Sequence, residues 1–318
     1  MVKKLNNASL INPTEKMLPN NIARDTHANS LQYIREFVNN EPAEKFCILC
    51  VLSYYIQHKE DKSVSGNLIG EPELDKTRTL KKFYKTKGVT IETDLTYIGI
   101  VNHVLPRIEN GTVKTIIIPD MVKTIMKKQA TMQNFIGILN GLIEEGVHEI
   151  TLRDTRNFGG ARANILTSMT PSLLYANKLM WNRMGFLSRL LPFTYRYTEP
   201  KKEAIYRAIE KGEVPEPEPI NLKLPEFKVE VELPSEIAHE LRPLVDYLTE
   251  TERARILPKN KKDTVKFTEK GMGFRHQHQF QALLRANALY REDNKVTTED
   301  LREIKRLSRW INYDFNFL

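Results

Sequence analysis

The chain holds only two cysteines in 318 residues, no run approaching eighteen apolar residues, no internal repeat and no apolar leader at its start. Each scarcity excludes something. A four-ligand structural zinc site needs a second cysteine or histidine pair beside the first, and Cys47-x-x-Cys50 has none. By itself a C-x-x-C pair can be a redox site or half a zinc site. This one sits inside Phe46-Cys47-Ile48-Leu49-Cys50-Val51-Leu52 and reads as two buried thiols on an apolar helix, because free cysteine packs as a small hydrophobe. A reducing, cytoplasmic setting is the matching expectation. The lack of a long apolar run argues against a membrane span, and Met1 to Asn20 is too polar for a signal peptide.

What is present is an ordinary globular composition, 41% apolar and 28% charged, in a length that suits one large domain and a smaller one. A net charge of +8 favours a polyanionic partner, nucleic acid being the common one, although many soluble proteins are this basic.

Along the chain, Leu31 to His58 reads as helical, with a dense apolar run from Phe46 to Ile56. Strands are expected at Asn67 to Ile69, Val89 to Ile91, Thr115 to Ile118, His148 to Leu152, Ala163 to Met169 and Thr194 to Tyr197. Helices are expected at Lys76 to Tyr84, Met121 to Glu145 and Ser172 to Met184. This alternation predicts an α/β fold, a mostly parallel sheet with helices on both faces. The composition changes near residue 200. A charged helix, Lys201 to Lys211, leads to Pro215-Glu216-Pro217-Glu218-Pro219, which is stiff and cannot enter a helix or a central strand. Helices follow at Ser235 to Ala254, Gln279 to Tyr290 and Thr298 to about Trp310, with Thr298 as the N-cap of the last. The expected organisation is a polar tail (1–30), an α/β core (31–200), a linker or insertion (201–234) and a small helical domain (235–318).

Four segments can carry chemistry. Gly70-Glu71-Pro72-Glu73-Leu74-Asp75-Lys76-Thr77 follows a strand and opens a helix, the context a P-loop requires: backbone N–H groups wrap phosphates, lysine reaches them and threonine holds magnesium. Against the pattern G-x-x-x-x-G-K-[ST], Asp75 stands where the second glycine belongs. Thr115 to Ile118 ends at Asp120, as in strands whose acid orients magnesium, or simply at a Pro-Asp turn. Ala163 to Met169 runs into Thr170-Pro171, where a polar side chain can position water or merely start a turn. Leu187-Ser188-Arg189 precedes a strand, and its arginine is either a finger acting in trans or a surface residue.

Taken in order, these segments resemble the AAA+ ATPases, in particular the ATPase module of the minichromosome-maintenance helicases. The resemblance covers roughly residues 35 to 310, with Leu142 to Gly146 similar to the family's acidic helix end and Val147 to Gly160 to its hairpin insertion. Arg275-His276-Gln277-His278 and the helices after it resemble the helical lid. It implies ATP and magnesium as cofactors, with nucleotide contacts from Gly70, Glu71, Pro72, Asp75, Lys76, Thr77, Arg78 and Arg275. Thr77 and Asp120 would hold the metal, and Asp120, Thr170 and Arg189 would serve catalysis. It also implies a homo-oligomeric, hexamer-like ring acting on DNA, with protein partners as an alternative. The His276-x-His278 pair is not expected to bind metal, since alternate positions on a helix do not share a face.

Three departures bear on activity. A carboxylate at Asp75 about 4 Å from a phosphate charge would repel it by roughly 4 kcal/mol at an effective dielectric near 20. Met121 takes the place of the family's water-polarising glutamate, and Thr170 that of its sensor asparagine. The expectation is a DNA-associated motor or its remnant with impaired ATP hydrolysis. The alternatives are a catalytically inactive scaffold and a loader acting on protein.

Overall fold

The computed structural model describes residues 40–57, 62–122, 129–151, 155–214, 216–256 and 266–314. The expected tail, the start of the leading helix at Leu31 and the hairpin residue Arg153 lie outside them. Seven strands form where apolar or β-branched runs are bounded by turns. They are β1 (Ser65–Ile69), β2 (Val89–Ile91), β3 (Thr115–Ile118), β4 (Val147–Thr151), β5 (Thr155–Ala161), β6 (Asn164–Met169) and β7 (Leu190–Thr194). Five build one sheet in the order β2-β3-β6-β1-β7, parallel at every pairing. Every residue of β1, β3 and β6 is buried, so these strands show no polar alternation, as expected of parallel strands covered on both faces. β4 and β5 form a separate antiparallel hairpin.

Helix α1 (Glu41–Ser53) carries the Cys47/Cys50 run across the sheet, with Phe46 stacked on Phe193 of β7 at 4.9 Å between ring centroids. The approach is close enough to require Gly66. A Cβ there would lie 2.7 Å from Phe46 Cε1 and 3.1 Å from Cys50 Sγ. Both thiols are buried and free, and burial pushes them far above their ordinary range, as the inert reading expects.

Several boundaries differ from expectation. The last strand is Leu190–Thr194, four residues earlier than Thr194 to Tyr197. Pro192 argues against a strand by pattern, but β7 is an edge strand, where a missing N–H costs no ladder bond. After β1 comes the short helix α2 (Lys76–Lys81). The described part of the long helix after Asp120 is α3 (Gln129–Asn140), which loosens into a π-turn at Gly141–Glu145. Helix α4 (Pro171–Arg183) matches closely.

The charged segment forms α5 (Glu199–Glu210), with an Arg207–Glu203 ion pair at 3.1 Å one turn apart. Ser235 to Ala254 is two helices, α6 (Ser235–His239) and α7 (Arg242–Glu252). Pro243, in the first turn of α7, has no N–H to continue from α6. Helix α8 (Phe274–Tyr290) begins before Gln279 and takes in Arg275 to His278. Helix α9 (Thr298–Leu307) is capped by Thr297, not Thr298, because Thr297 and Asp300 complete a reciprocal capping box. The described residues of Asn40–Glu199 and Glu216–Leu318 form one compact unit, so the sheet and the C-terminal helices share it; Pro200–Pro215 groups apart. Among the described residues no helix is long and apolar enough to cross a membrane.

Candidate functional site

Parallel strands deliver all their following loops to one edge. The loop after β1, Asp120 after β3 and Thr170 after β6 therefore share the carboxyl end of the sheet, where ligands of open α/β folds bind. Because β6 lies between β1 and β3, Thr170 stands between the loop and Asp120.

The loop is built around its lysine. Lys76 is 9% exposed, and its ammonium donates to the carbonyl of Gly70 at 2.8 Å and to that of Glu71. Burial pushes this ammonium below its ordinary value, while Asp120 and Glu71 pull it back up, which places both carboxylates within electrostatic reach. Asp75 adopts the left-handed conformation, φ 52° and ψ 19°, and so does Glu73, at φ 67°. The motif reserves the first position for glycine, and an L-residue there carries strain of about 1–2 kcal/mol. Leu74, Asp75, Lys76, Thr77, Arg78 and Pro217 border an open cavity of about 420 Å³. Thr77 and the carboxylate of Asp120 are exposed at this end, and Asp120 Oδ1 accepts from Val122 N–H at 2.8 Å. One hydroxyl and one carboxylate suit magnesium, which keeps water and phosphate ligands in preference to a protein cage.

Two of the catalytic candidates are committed elsewhere. Thr170 Oγ accepts from Leu173 N–H at 3.3 Å as the N-cap of α4. Met121 is fully buried and offers no base beside Asp120.

Loop contacts come from a stretch the sequence reading took as strand. Tyr195 donates its hydroxyl to the carbonyl of Leu74 at 2.7 Å, Arg196 pairs with Glu71 at 3.7 Å, and the buried Tyr197 hydroxyl neighbours the Asp75 carboxylate. Burial first, and then the Asp75 charge, push the Tyr197 hydroxyl far above its ordinary value. The one trace of this in sequence is a Tyr-Arg-Tyr run beginning directly after an apolar strand.

Arg189 and Arg275 are not at this end. Arg189 immediately precedes β7, whose first residue pairs with the first residue of β1. Four strand steps of about 3.3 Å put it roughly 13 Å of backbone from the loop. There Glu144, from the π-turn, accepts from Arg275 Nε at 3.0 Å and Nη2 at 2.8 Å, and pairs with Arg189 Nε at 2.8 Å and Lys62 at 3.5 Å. Arg275 also donates to Ser188 Oγ, and Arg189 to Gly185 O at 2.7 Å. Burial would raise the Glu144 carboxyl, but Arg275, Arg189 and Lys62 outweigh it and hold it below the usual carboxylate range. So the lid arginine meets the arginine-finger motif, not the loop of its own chain.

His276 is buried between Glu252 Oε2 at 2.8 Å and Gln279 Oε1 at 2.9 Å, an acidic partner that local sequence did not reveal. No group of three potential metal-binding side chains converges among the described residues. In the hairpin, Arg156 donates to Asn102 Oδ1 at 2.8 Å and Arg162 to Glu145 O at 3.2 Å.

No family model matches the chain, and no curated protein does.

Proposed function

We propose that this chain is a nucleotide-binding module of the AAA+ P-loop type, taking ATP with magnesium at the carboxyl end of its sheet. The observation that carries the reading is the convergence of Lys76, its Gly70–Thr77 loop and Asp120 on that one edge, with Thr170 between them. In this reading Lys76 leaves the carbonyls of Gly70 and Glu71 for the terminal phosphates. Thr77 and Asp120 orient the metal, which neutralises phosphate charge. The buried Met121 and the helix-capping Thr170 favour slow or absent hydrolysis.

Arg189 and Arg275 meet at the opposite end, too far to serve their own loop, which supports a ring in which one copy offers its arginines to the next copy's nucleotide. A DNA partner rests on the +8 charge and on the hairpin arginines Arg156 and Arg162. An inactive scaffold is the second reading, favoured by the same Met121 and Thr170.

The test is MgATP binding and phosphate release by the purified chain, with and without DNA, beside Lys76→Ala. Binding that falls at least a hundredfold in Lys76→Ala, with little or no release, is the expected result. Binding that ignores Lys76 sinks the nucleotide reading, and rapid release that requires Lys76 and Asp120 removes the scaffold.

A further inference from the structure

The Gly70–Thr77 loop holds its shape with acids at two left-handed positions, and its neighbours explain how. Three consecutive residues beyond the edge strand each take hold of one loop residue: Tyr195 the Leu74 carbonyl, Arg196 the Glu71 carboxylate and Tyr197 the Asp75 side chain. The alignment begins with backbone, since Tyr195 N–H donates to Ile69 O at 3.2 Å, the last residue before the loop. We infer that Tyr195 and Tyr197 are positioning residues for anion binding by this loop, a role that rests on the nucleotide reading above. Tyr195 fixes the Leu74–Asp75 peptide, and Tyr197 draws the Asp75 carboxylate aside.

The first part follows from peptide geometry. A trans peptide points its C=O and the following N–H in opposite directions. A Leu74 carbonyl held toward the Tyr195 hydroxyl therefore turns the Asp75 N–H away from Tyr195, the direction in which a backbone donor is open to an anion. Tyr195 is 3% exposed, and a buried carbonyl that loses its donor is costly, so the peptide does not flip freely. The second part follows from charge. Like charges a few ångströms apart dominate a phosphate site, whereas a carboxylate drawn to a phenol donor and to Arg78, which also acts on Tyr197, is partly neutralised. The Tyr195 and Tyr197 rings pack 6.3 Å apart, so the two contacts form one block. In this arrangement the chain tolerates Asp75 because Tyr197 is present.

The experiment is a double-mutant cycle read in two ways. In MgATP titrations, Tyr197→Phe weakens binding about tenfold in the natural background and leaves it unchanged in Asp75→Gly. Tyr195→Phe weakens it about tenfold in both backgrounds. A loss from Tyr197→Phe that is the same in both backgrounds overturns the Asp75 role, since a merely structural tyrosine does not distinguish them. Full affinity in Tyr195→Phe overturns the peptide role.

Urea unfolding without ligand separates this inference from the nucleotide reading. There, Tyr197→Phe lowers the midpoint in the natural background and adds nothing to Asp75→Gly. If MgATP binding is absent or indifferent to Lys76, the nucleotide reading fails and the anion role of both tyrosines fails with it. The unfolding cycle then decides whether the Tyr197–Asp75 contact exists, and additive midpoint changes remove it.

Discussion

The two ends of the parallel sheet treat charge in opposite ways. At the carboxyl end one ammonium, Lys76, rests on the neutral carbonyls of Gly70 and Glu71, and its nearest carboxylates act only at a distance. At the amino end one carboxylate, Glu144, binds three cations directly: Arg275, Arg189 and Lys62. The first arrangement can release its cation at small cost, because carbonyls are weak partners for a charge that phosphate would hold better. The second is closed upon itself. A ligand there has to displace a bidentate carboxylate, so in the isolated chain this end is a structural tie.

Removing the tie gives the largest expected effect. Glu144→Ala leaves Arg189, only 11% exposed, and the one-third-exposed Arg275 without their shared partner. Breaking a buried pair costs about 3–5 kcal/mol, and partial exposure here reduces that to about 2 kcal/mol. Urea unfolding should show this loss while MgATP affinity of the single chain stays within twofold. An affinity loss with stability intact would break the distinction between the two ends.

How much of this was legible in advance depends on which side of a strand a residue falls. Asp120 and Thr170 follow strands that β-branched runs mark clearly, so their place at one edge could be read from order alone. Arg189 precedes a strand that Pro192 disguised, and misplacing that strand onto Thr194 to Tyr197 hid two things at once. It obscured the amino-end position of Arg189, and it turned the loop-holding tyrosines into ordinary strand residues. Arg275 was visible only as a lid arginine, because the acid that binds it lies 131 residues earlier. Local pattern predicts elements, and contacts across such spans depend on how the elements pack. The Cys47/Cys50 pair shows the opposite case, since its apolar flanks already fixed its burial.

The carboxyl end can be sharpened through Asp75. A carboxylate in direct contact with phosphate would cost roughly 4 kcal/mol, so its removal would tighten binding about a thousandfold. With the carboxylate held against Tyr197, the expected gain of Asp75→Gly is much smaller, about three- to tenfold in MgATP affinity. Relief of the left-handed strain contributes part of it. A fluorescent-nucleotide titration measures this directly. Equal affinities would show that Asp75 does not impair the loop, and a gain near a thousandfold would place its carboxylate inside the phosphate site.

The smallest expected effect concerns the helix that joins the two ends. Helix α4 starts at Thr170 on the carboxyl side and returns the chain to Arg189 on the amino side. Midway, Lys178 donates to Thr251 O at 2.7 Å and so ties it to α7. Burial pushes the Lys178 ammonium down to about 8, against the pull of Asp314 and Glu252, while in the unfolded chain it titrates near 10.5. Between these values the unfolded chain binds more protons, so stability rises with pH across the window and is lowest below pH 8. Lys45, also pushed down to about 8 by burial, adds a contribution of the same sign. Above about pH 10 the buried phenols reverse the trend, because Tyr195 and Tyr313 stay protonated in the fold while unfolded tyrosines ionise. Unfolding free energy should therefore increase between pH 8 and 9.5 by about 1 kcal/mol, less than the full linkage slope because both lysines keep some solvent contact. Lys178→Met should flatten this rise by about half without moving MgATP affinity. A slope indifferent to Lys178 would mean that its ammonium is solvated, and that α4 is not tied to α7 by a buried charge.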